Sequence, residues 1–306
     1  MDLEDFTIAV LCLVEELLAE LLADPEWPRV RTRGPAPALA DREVLTMELV
    51  GEFLGYDCDI AISRSVRRHH AAWFPTLARV QRTTFVRQAA NVWTVKEQGW
   101  TRLRDRILHD PALSFVDSVP VPVCRFGRAW ACSRFRGEAA FGYDAGSRAT
   151  IYGVRHHLRV CWPGVVVACQ MAPANVHDRD VVPELVAGGT GQVLGDRNDW
   201  DPKLTAALAP AGIALEAPFN KRATDPATDP APERSATITR VRWRIETVAA
   251  QLVERFHLKR IWARDAWHLT SRTLRKVLSH TVALFLCQAH GYPPLSFDRL
   301  LADSAP

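Results

Sequence analysis

The sequence predicts an α/β protein in which an all-helical N-terminal domain precedes a sheet-containing domain. Apolar residues recur at helical spacing through residues 1–110, and after Pro111 the pattern changes to short runs rich in β-branched and aromatic side chains. Those runs later alternate with short helical segments, an order typical of α/β folds. With 306 residues, the chain is long enough for one large domain or two ordinary ones.

The N-terminal domain, residues 1–110, is predicted to consist of helices. The first spans residues 3–23 and carries a broad apolar face. A linker rich in proline and arginine, "PEWPRVRTRGPAP", separates it from a second helix that begins near Asp41. Further helices are expected at about 60–70 and 83–109.

The second domain, residues 111–306, is predicted to contain the sheet. Strands are expected at 113–117, 121–125, 150–161, 164–171, 191–196 and 213–218, with helices at about 181–187 and 202–209. Residues 220–239 are polar, rich in proline and threonine, and without periodicity, which indicates a loop. Helices resume at about 238–256 and 270–290, so residues 240–290 are assigned to the C-terminal helices of this domain.

Hydropathy and cysteine usage exclude several classes of protein. The longest apolar stretches, such as residues 282–287, are far shorter than the roughly 20 residues that a membrane-spanning helix needs. The N-terminus carries acids where a signal peptide carries basic residues, so we expect a cytoplasmic protein. The seven cysteines are scattered and form no C-x-x-C pair, which indicates neither a disulfide framework nor a zinc site.

Positive charge is concentrated in two separate segments. Residues 1–62 hold 4 basic and 14 acidic side chains, whereas residues 63–110 and 240–280 each hold 10 basic and 3 acidic ones. Both cationic segments contain tryptophans. Arginine binds phosphate and indole stacks on bases, which favours a nucleic-acid partner over the alternative of solvated helix faces. The candidate DNA-binding residues are Arg64, Arg67, Arg68, Arg155, Arg242, Arg244, Arg255, Lys259 and Arg260.

Three acidic residues accompany the predicted elements of the second domain. Asp117 ends the apolar run "ALSFVD", Asp196 ends "QVLGD", and Glu246 lies in the first turns of a predicted helix. Open α/β sheets bind ligands at the carboxyl ends of their strands, so the two aspartates can share one rim. The alternatives are a turn cap for Asp117, an Asx turn for Asp196, and a solvated side chain or a partner of Arg242 for Glu246.

Three carboxylates without cysteine or clustered histidine nearby are suited to Mg²⁺ or Mn²⁺. Two such ions, about 3.5–4 Å apart, can activate an attacking water or 3′-hydroxyl and stabilise the leaving 3′-oxygen in phosphoryl transfer. The acids are separated by 79 and then 50 residues across the predicted strands and helix. We therefore expect Asp117, Asp196 and Glu246 to be both the catalytic residues and the ligands of two ions.

Longer motifs point to one known family. They are "DREVLTMELVGEFLGYDCDIAISRSVRRHH" and "RTTFVRQAANVW" in the N-terminal region, "VDSVPVPVC", "YGVRHHLRV", "APANVHDRDVVPEL" and "LGDRNDW" in the sheet region, and "RWRIETVAAQLVERFHLKRIWARDAWHLTSRTLRKVLSHT" toward the end. Through these motifs the sequence resembles, over nearly the whole chain, the DDE transposases of bacterial insertion sequences, most closely the insertion sequence 982 type. The resemblance implies an RNase H-like catalytic core with Asp117 on its first strand, Asp196 at its fourth strand and Glu246 on a following helix.

The sequence departs from a pattern that many DDE transposases share around the glutamate, Y-x2-R-x3-E-x6-K. Arg242 and Glu246 fit it, but Thr239 and Val253 take the positions of the tyrosine and the lysine. Lys259 and Arg260 are unaligned substitutes for that lysine. Arg242 is expected at a scissile or flanking phosphate, with a salt bridge to Glu246 as the alternative.

Two histidine motifs add further candidates. His157 shares the polar face of its predicted strand with Arg155, so it can support the metal ligands or DNA, or be a hydrogen-bonded structural histidine. His177 and Asp178 precede or begin a predicted helix, where Asp178 can be an N-cap or contribute to the metal site.

Together these features predict a transposase that binds the terminal inverted repeats of an insertion sequence, then cuts and joins DNA with Mg²⁺ or Mn²⁺. Because both ends of an element must be brought together, we expect a homodimer or larger assembly on double-stranded DNA, in the bacterial cytoplasm and on the nucleoid, with no membrane partner. Two alternatives stay open: a catalytically inactive repressor derived from a transposase, and an RNase H-like nuclease without strand transfer.

Overall fold

In the computed structural model, residues 1–27, 36–199, 201–219, 229 and 231–301 are described. They divide into two compact units. The first unit combines Met1–Ile107 with Gln251–Pro306, and the second unit is Leu108–Ala250. The C-terminal segment therefore belongs to the same compact unit as the N-terminal helices, whereas the sequence predicts that it belongs with the sheet. The division of function at residue 110 stays a prediction.

The N-terminal helices begin close to where the sequence predicts them. They are α1 (Leu3–Ala23), α2 (Asp41–Phe53), α3 (Asp59–His69), α4 (Arg82–Asn91) and α5 (Trp93–Arg106). Asp2 caps α1, because its Oδ1 accepts a hydrogen bond from the N–H of Asp5 at 2.8 Å. The single helix predicted over 83–109 is two helices, which break at the weak helix formers Asn91 and Val92.

The second unit contains a six-stranded mixed sheet. Its strands are β1 (Asp110–Pro122), β2 (Ala140–Asp144), β3 (Ala149–Trp162), β4 (Val165–Pro173), β5 (Gly191–Leu194) and β6 (Ile213–Glu216). The order is β2-β3-β1-β5-β6, with β4 also paired to β3. β3 is antiparallel to its three neighbours, whereas β5 is parallel to β1 and β6. This is the RNase H-like sheet that the resemblance implies.

Two short helices, α6 (Asp178–Leu185) and α7 (Pro202–Leu208), pack on one face of this sheet. The apolar cluster between them joins Val116 of β1 and Val193 of β5 to Val182 of α6 and Leu208 of α7, each at most 8% exposed. Burial of side chains of this size stabilises a domain by about 1.5–3 kcal/mol each. The cluster fixes β1 and β5 side by side, which positions the residues that follow them.

β1 continues through Asp117 instead of ending there, so the predicted strands 113–117 and 121–125 are one strand. The sequence suggested a break because Pro120 and Pro122 lack the N–H that a strand ladder needs. Among the described strands, β1 pairs with β5 only over Leu113–Phe115, and that side of β1 has no strand partner further on. The prolines are tolerated there, while the antiparallel pairing with β3 continues to Pro122.

Part of the predicted loop at 220–239 is helical, which corrects that prediction. α8 (Pro232–Val241) begins inside it, and α9 (Trp243–Glu254) follows after a break at Arg242. Pro232 occupies the first turn, where a missing N–H breaks no helical hydrogen bond, and Glu233 interacts favourably with the helix dipole. Residues 220–228 and 230 of the predicted loop lie outside the described residues.

The last long helix, α10 (Ala266–Ala289), carries charged side chains into the core of the first unit. Arg275 and Lys276 are 0% exposed. Arg275 lies 3.1 Å from a carboxylate oxygen of Glu48 and 2.6 Å from one of Glu52, and Lys276 lies 2.8 Å from Glu52.

No helix among the described residues is long and apolar enough to cross a membrane.

Lys96 of α5 and Asp59 of α3 complete this buried charge cluster, which we define as Glu48, Glu52, Asp59, Lys96, Arg275 and Lys276. The Nζ of Lys96 lies 2.7 Å from Glu48 and donates to Ser271 at 2.9 Å. Burial by itself would raise the pKa of Asp59, but the Arg275 and Arg272 guanidiniums hold it well below its ordinary value. The cluster therefore ties α10 to α2, α3 and α5 through ion pairs that exclude water.

Candidate active site

Asp117 and Asp196 occupy equivalent positions relative to two neighbouring parallel strands. In the register of β1 and β5, Phe115 lies opposite Leu194, the last residue of β5. Asp117 and Asp196 each come two residues later, beyond the paired residues. The structure thus brings both aspartates to the carboxyl end of this strand pair, where α/β sheets bind ligands.

A single arginine bridges the two aspartates. Arg242, at the break between α8 and α9, is 7% exposed. Its Nη2 lies 3.7 Å from Oδ2 of Asp117, and its Nη1 lies 3.5 Å from Oδ1 of Asp196. Glu246 was the alternative partner predicted for Arg242, and the structure pairs the arginine with the aspartates instead.

An open pocket of about 790 Å³ extends from these carboxylates. Both aspartates line it, together with the acidic residues Asp144 and Asp178 and the basic residues Arg155 and Arg179. Most of its other lining residues are small or polar. Its volume and its mixture of acidic and basic groups suit a charged ligand more than an apolar one.

Burial, and to a lesser extent neighbouring carboxylates, perturbs the ionisation of Asp117 and Asp199. Burial raises the pKa of Asp117 to about 6; the Arg242 guanidinium and the N–H of Ser118 oppose that rise, while Asp196 and Asp178 add to it. Burial also raises the pKa of Asp199 to about 7, where the N–H of Asp196 opposes the rise and Asp178 and Asp196 add to it. These carboxylates lie close enough to repel one another, so the site favours cations.

Asp199 is a candidate site residue that the sequence did not predict. It is 4% exposed, and its Oδ2 accepts a hydrogen bond from the N–H of Asp196 at 2.7 Å. The only signal in the sequence is a second acid three residues after Asp196 in "GDRND". Asp178, expected as an N-cap or metal residue, lies in the first turn of α6 and lines the pocket, and the N-cap position is His177.

Glu246 is not brought to the pocket with the two aspartates. It lies in the first turn of α9, its side chain is exposed, and it does not line the pocket. Within the described residues, no group of three or more His, Cys, Asp or Glu side chains is close enough to hold a metal ion. The structure therefore assembles two of the three predicted ligands.

His157 and Arg155 brace the pocket wall. His157 is 2% exposed, and its Nδ1 lies 3.3 Å from Oδ1 of Asp178. Arg155 donates to Oγ of Ser118 at 3.1 Å and to the carbonyl oxygen of Tyr143 at 2.9 Å. Both side chains are engaged with their own domain, which fits the structural alternative for His157.

The other predicted DNA-binding residues near the C-terminus have different surroundings. The Arg244 guanidinium stacks on the rings of Trp243 and Trp162, at 4.1 and 4.6 Å from their centroids. Arg255 lies 2.7 Å from Asp298 and over the ring of Phe53. Lys259 and Arg260 lie in a short 3₁₀ helix, with Lys259 half-buried and Arg260 exposed.

A second cationic surface lies in the first unit. Arg64, Arg67 and Arg68 of α3 line a groove of about 440 Å³ together with Arg82 of α4. Arg64, Arg68 and Arg82 are exposed, while Arg67 is half-buried and donates a hydrogen bond to the carbonyl oxygen of Val80. Convergence of four arginines favours binding of phosphate groups.

A mixed sheet of this order, with paired acids at the carboxyl end of its parallel strands, defines the RNase H-like class of α/β domains. Residues 109–264, slightly more than half of the chain, match the family model described as "Transposase DDE domain", and the chain belongs to that family. No curated protein and no solved structure matched the chain.

Proposed function

We propose that this protein binds the terminal inverted repeats of a bacterial insertion sequence and catalyses Mg²⁺-dependent DNA strand cleavage and strand transfer. The placement of Asp117 and Asp196 two residues beyond a parallel strand pair, bridged by Arg242, is the observation that carries the proposal. Membership of the transposase family supports DNA as the substrate. The arginine-lined groove on α3 and α4 supports a second site of contact with the DNA backbone.

The two aspartates are donors of the kind that Mg²⁺ and Mn²⁺ prefer. Asp117 and Asp196 are hard oxygen donors, and the raised pKa of Asp117 reflects burial and neighbouring carboxylates that a divalent cation would neutralise. Glu246, one helical turn after Arg242, is the third residue that we propose for this site. When bound, the ions would supply an activated nucleophilic oxygen and stabilise the leaving 3′-oxygen.

The residues of the chain position the DNA for in-line displacement. In the first step, water attacks the scissile phosphorus, the bond to the 3′-oxygen breaks, and a free 3′-hydroxyl is produced. In the second step, that hydroxyl attacks a phosphorus of target DNA and displaces another 3′-oxygen. Arg242 would bind the scissile or a flanking phosphate, since its guanidinium already lies between the two aspartates.

A strand-transfer assay tests this proposal. Labelled DNA that carries the terminal repeats is incubated with the protein, Mg²⁺ and a plasmid target. Wild-type protein should join the label covalently to the plasmid. Substitution of Asp117, Asp196 or Glu246 by alanine should abolish cleavage and leave binding of the ends largely intact; normal cleavage by Asp196→Ala would overturn the assignment.

The same assay separates the two alternatives. A nuclease without strand transfer would give only cut ends, and a catalytically inactive repressor would give only a shifted band on a native gel. Joined products would exclude both. Because two ends must be processed, we propose that the protein acts as a homodimer or larger assembly on DNA, on the nucleoid of the bacterial cytoplasm.

A further inference from the structure

The connection between β1 and β2, residues 124–138, displays aromatic rings on the surface of the second unit. Trp130 is 82% exposed and Phe126 is 53% exposed. Both pack on Phe141 of β2, with ring centroids 4.8 Å and 6.1 Å from its own. Contiguous exposed apolar groups, unlike single exposed residues, are typical of binding surfaces. The reaction proposed above uses none of these residues.

The same connection is strongly basic. Arg125, Arg128, Arg134 and Arg136 are all exposed, and Glu138 is the only acid in residues 124–138. A surface with this charge complements a polyanion and repels a second copy of itself. Arginine next to exposed indole is the combination that proteins use to bind nucleic acid strands.

Buried residues anchor this connection to the second unit. Phe135 is 2% exposed, and its carbonyl oxygen accepts a hydrogen bond from the hydroxyl of Tyr152 at 3.4 Å. Ala129, which precedes Trp130, is 4% exposed. Because residues on both sides of Trp130 are held in the core, the indole is presented at a fixed place, which lowers the entropic cost of stacking on a ligand.

This surface adjoins the acidic pocket along β2. The Trp130 and Phe126 rings pack on Phe141. The next three residues of β2, Gly142, Tyr143 and Asp144, line the pocket that contains Asp117 and Asp196. DNA with its scissile phosphate at the aspartates can extend along β2 toward Trp130. Bases inside a duplex hide their faces in the stack, so an indole there can stack only on a base that has left it.

We propose that residues 124–138 bind unpaired nucleotides of the DNA end beside the cleavage site, with Trp130 stacked on a base and the arginines on flanking phosphates. This inference rests on the proposed function, because it requires DNA in the pocket. It adds to that function a preference for frayed or single-stranded DNA next to the cut.

Binding of two fluorescent DNA probes to the full-length protein tests the proposal. One probe is a 20-base-pair blunt duplex that carries a terminal repeat, and the other is the same duplex with a six-nucleotide single-stranded tail. Wild-type protein should bind the tailed probe more tightly. Trp130→Ala should weaken binding of the tailed probe by roughly 5- to 100-fold and change the blunt probe little, whereas Trp130→Phe should retain most of the preference.

Two further variants act as controls. Leu108→Ala removes an apolar side chain of the same unit that is 78% exposed, and it should bind both probes like wild type. Arg128→Gln combined with Arg134→Gln should weaken both probes and reduce the salt dependence of binding. Thermal unfolding checks that each variant is folded.

The outcomes separate failure of the inference from failure of the proposed function. If Trp130→Ala binds both probes like wild type, the surface does not stack on bases, while DNA binding by the protein stands. If that variant instead loses self-association in sedimentation with DNA affinity unchanged, the surface is a protein interface and the inference is overturned. If wild-type protein binds neither probe, the proposed function and the inference both fall.

Discussion

Two hydrogen bonds between Asp196 and Asp199 stabilise the turn that they form. The N–H of Asp196 donates to Oδ2 of Asp199 at 2.7 Å, and the N–H of Asp199 donates to the carbonyl oxygen of Asp196 at 2.9 Å. The Asp196 carboxylate also accepts from the N–H of Arg197 at 2.6 Å. The buried side chain of Asp199 thus holds the backbone of Asp196, a proposed metal ligand. Asp199 itself does not need to contact the metal.

We predict that Asp199→Ala lowers the rate of DNA cleavage by roughly 10- to 100-fold, because loss of the acceptor lets Asp196 move away from Asp117. Asp199→Asn keeps an acceptor oxygen and should lose less. Single-turnover cleavage rates measure the effect. Equal loss in both variants would show that the charge of Asp199 matters and not its hydrogen bond.

A second substitution tests the same turn from the other side. A Cβ added at Gly195 would lie 2.6 Å from Oδ2 of Asp199, so Gly195→Ala should push the Asp199 side chain away and reduce cleavage to a similar extent. The matched control is Gly99→Ala, where the nearest atom lies at an ordinary 3.9 Å. Cleavage by Gly195→Ala at the wild-type rate would contradict this role of the turn.

The Arg242 guanidinium occupies the place between Asp117 and Asp196 where a divalent cation would be attracted. We therefore predict that Arg242→Gln binds Mn²⁺ about tenfold more tightly in the absence of DNA, because a competing positive charge is removed. Its cleavage rate should fall, because a phosphate contact is lost. Titration followed by electron paramagnetic resonance measures the affinity.

Arg179→Gln is the control for that titration. Arg179 lines the same pocket but is 44% exposed and pairs with Asp201 at 3.4 Å, so its removal should change Mn²⁺ affinity little. Weaker Mn²⁺ binding by Arg242→Gln would show that the arginine organises the carboxylates and does not compete for them.

Acid should destabilise the first unit through a buried histidine. Burial lowers the pKa of His280 to about 3, whereas an unfolded histidine has a pKa of about 6.5. The stabilising contribution of the neutral ring is therefore complete above pH 6.5 and is lost as the pH falls toward 3. We predict a decrease in the free energy of unfolding of about 2 kcal/mol from this residue between pH 7 and pH 5.

Urea unfolding at the two pH values measures this contribution. His280→Gln should be less stable at pH 7, but its stability should depend less on pH. His290→Gln removes an exposed histidine and should leave the pH dependence unchanged. A pH dependence that is identical in all three proteins would rule out His280 as its source.

The buried charge cluster should be sensitive to loss of one partner. Arg275→Met removes a buried cation that contacts all of Glu48, Glu52 and Asp59, so we predict a loss of about 3–5 kcal/mol in the free energy of unfolding. Arg42→Met removes an exposed pair with Glu15 and should cost about 1 kcal/mol or less. A similarly small loss for Arg275→Met in urea unfolding would contradict the cluster's importance.

The positions of the two aspartates were predictable from the sequence, although the end of β1 was not, because the signal for them is local. An apolar run of β-branched residues that stops at an acid is visible without the fold, and Asp117 and Asp196 both follow such runs. β2 was missed, because "AFGYD" is short, contains a glycine and becomes a strand only through its pairing with β3. Likewise, nothing near Asp196 in the sequence reveals that Asp199 is buried beneath it.

The charge counts of the two cationic segments overestimate their exposed positive charge. Arg272, Arg275 and Lys276 belong to the cationic segment 240–280, and Lys96 belongs to the segment 63–110, yet all four pair with carboxylates inside the first unit. Sequence shows the sign of a side chain but not whether it faces water. The exposed positive surface is therefore smaller than the composition suggests, and exposed arginines such as Arg64 and Arg68 contribute more of it.

The participation of α10 in the buried charge cluster has a consequence for synthesis of the protein. While the ribosome has released only the first half of the chain, Glu48, Glu52 and Asp59 have Lys96 as their only internal counter-charge within the described cluster, because Arg275 and Lys276 have not yet been made. The continuous segment Leu108–Ala250, which contains its own sheet, emerges from the ribosome before Arg275 and Lys276. The middle of the polypeptide can thus acquire its structure before the beginning does.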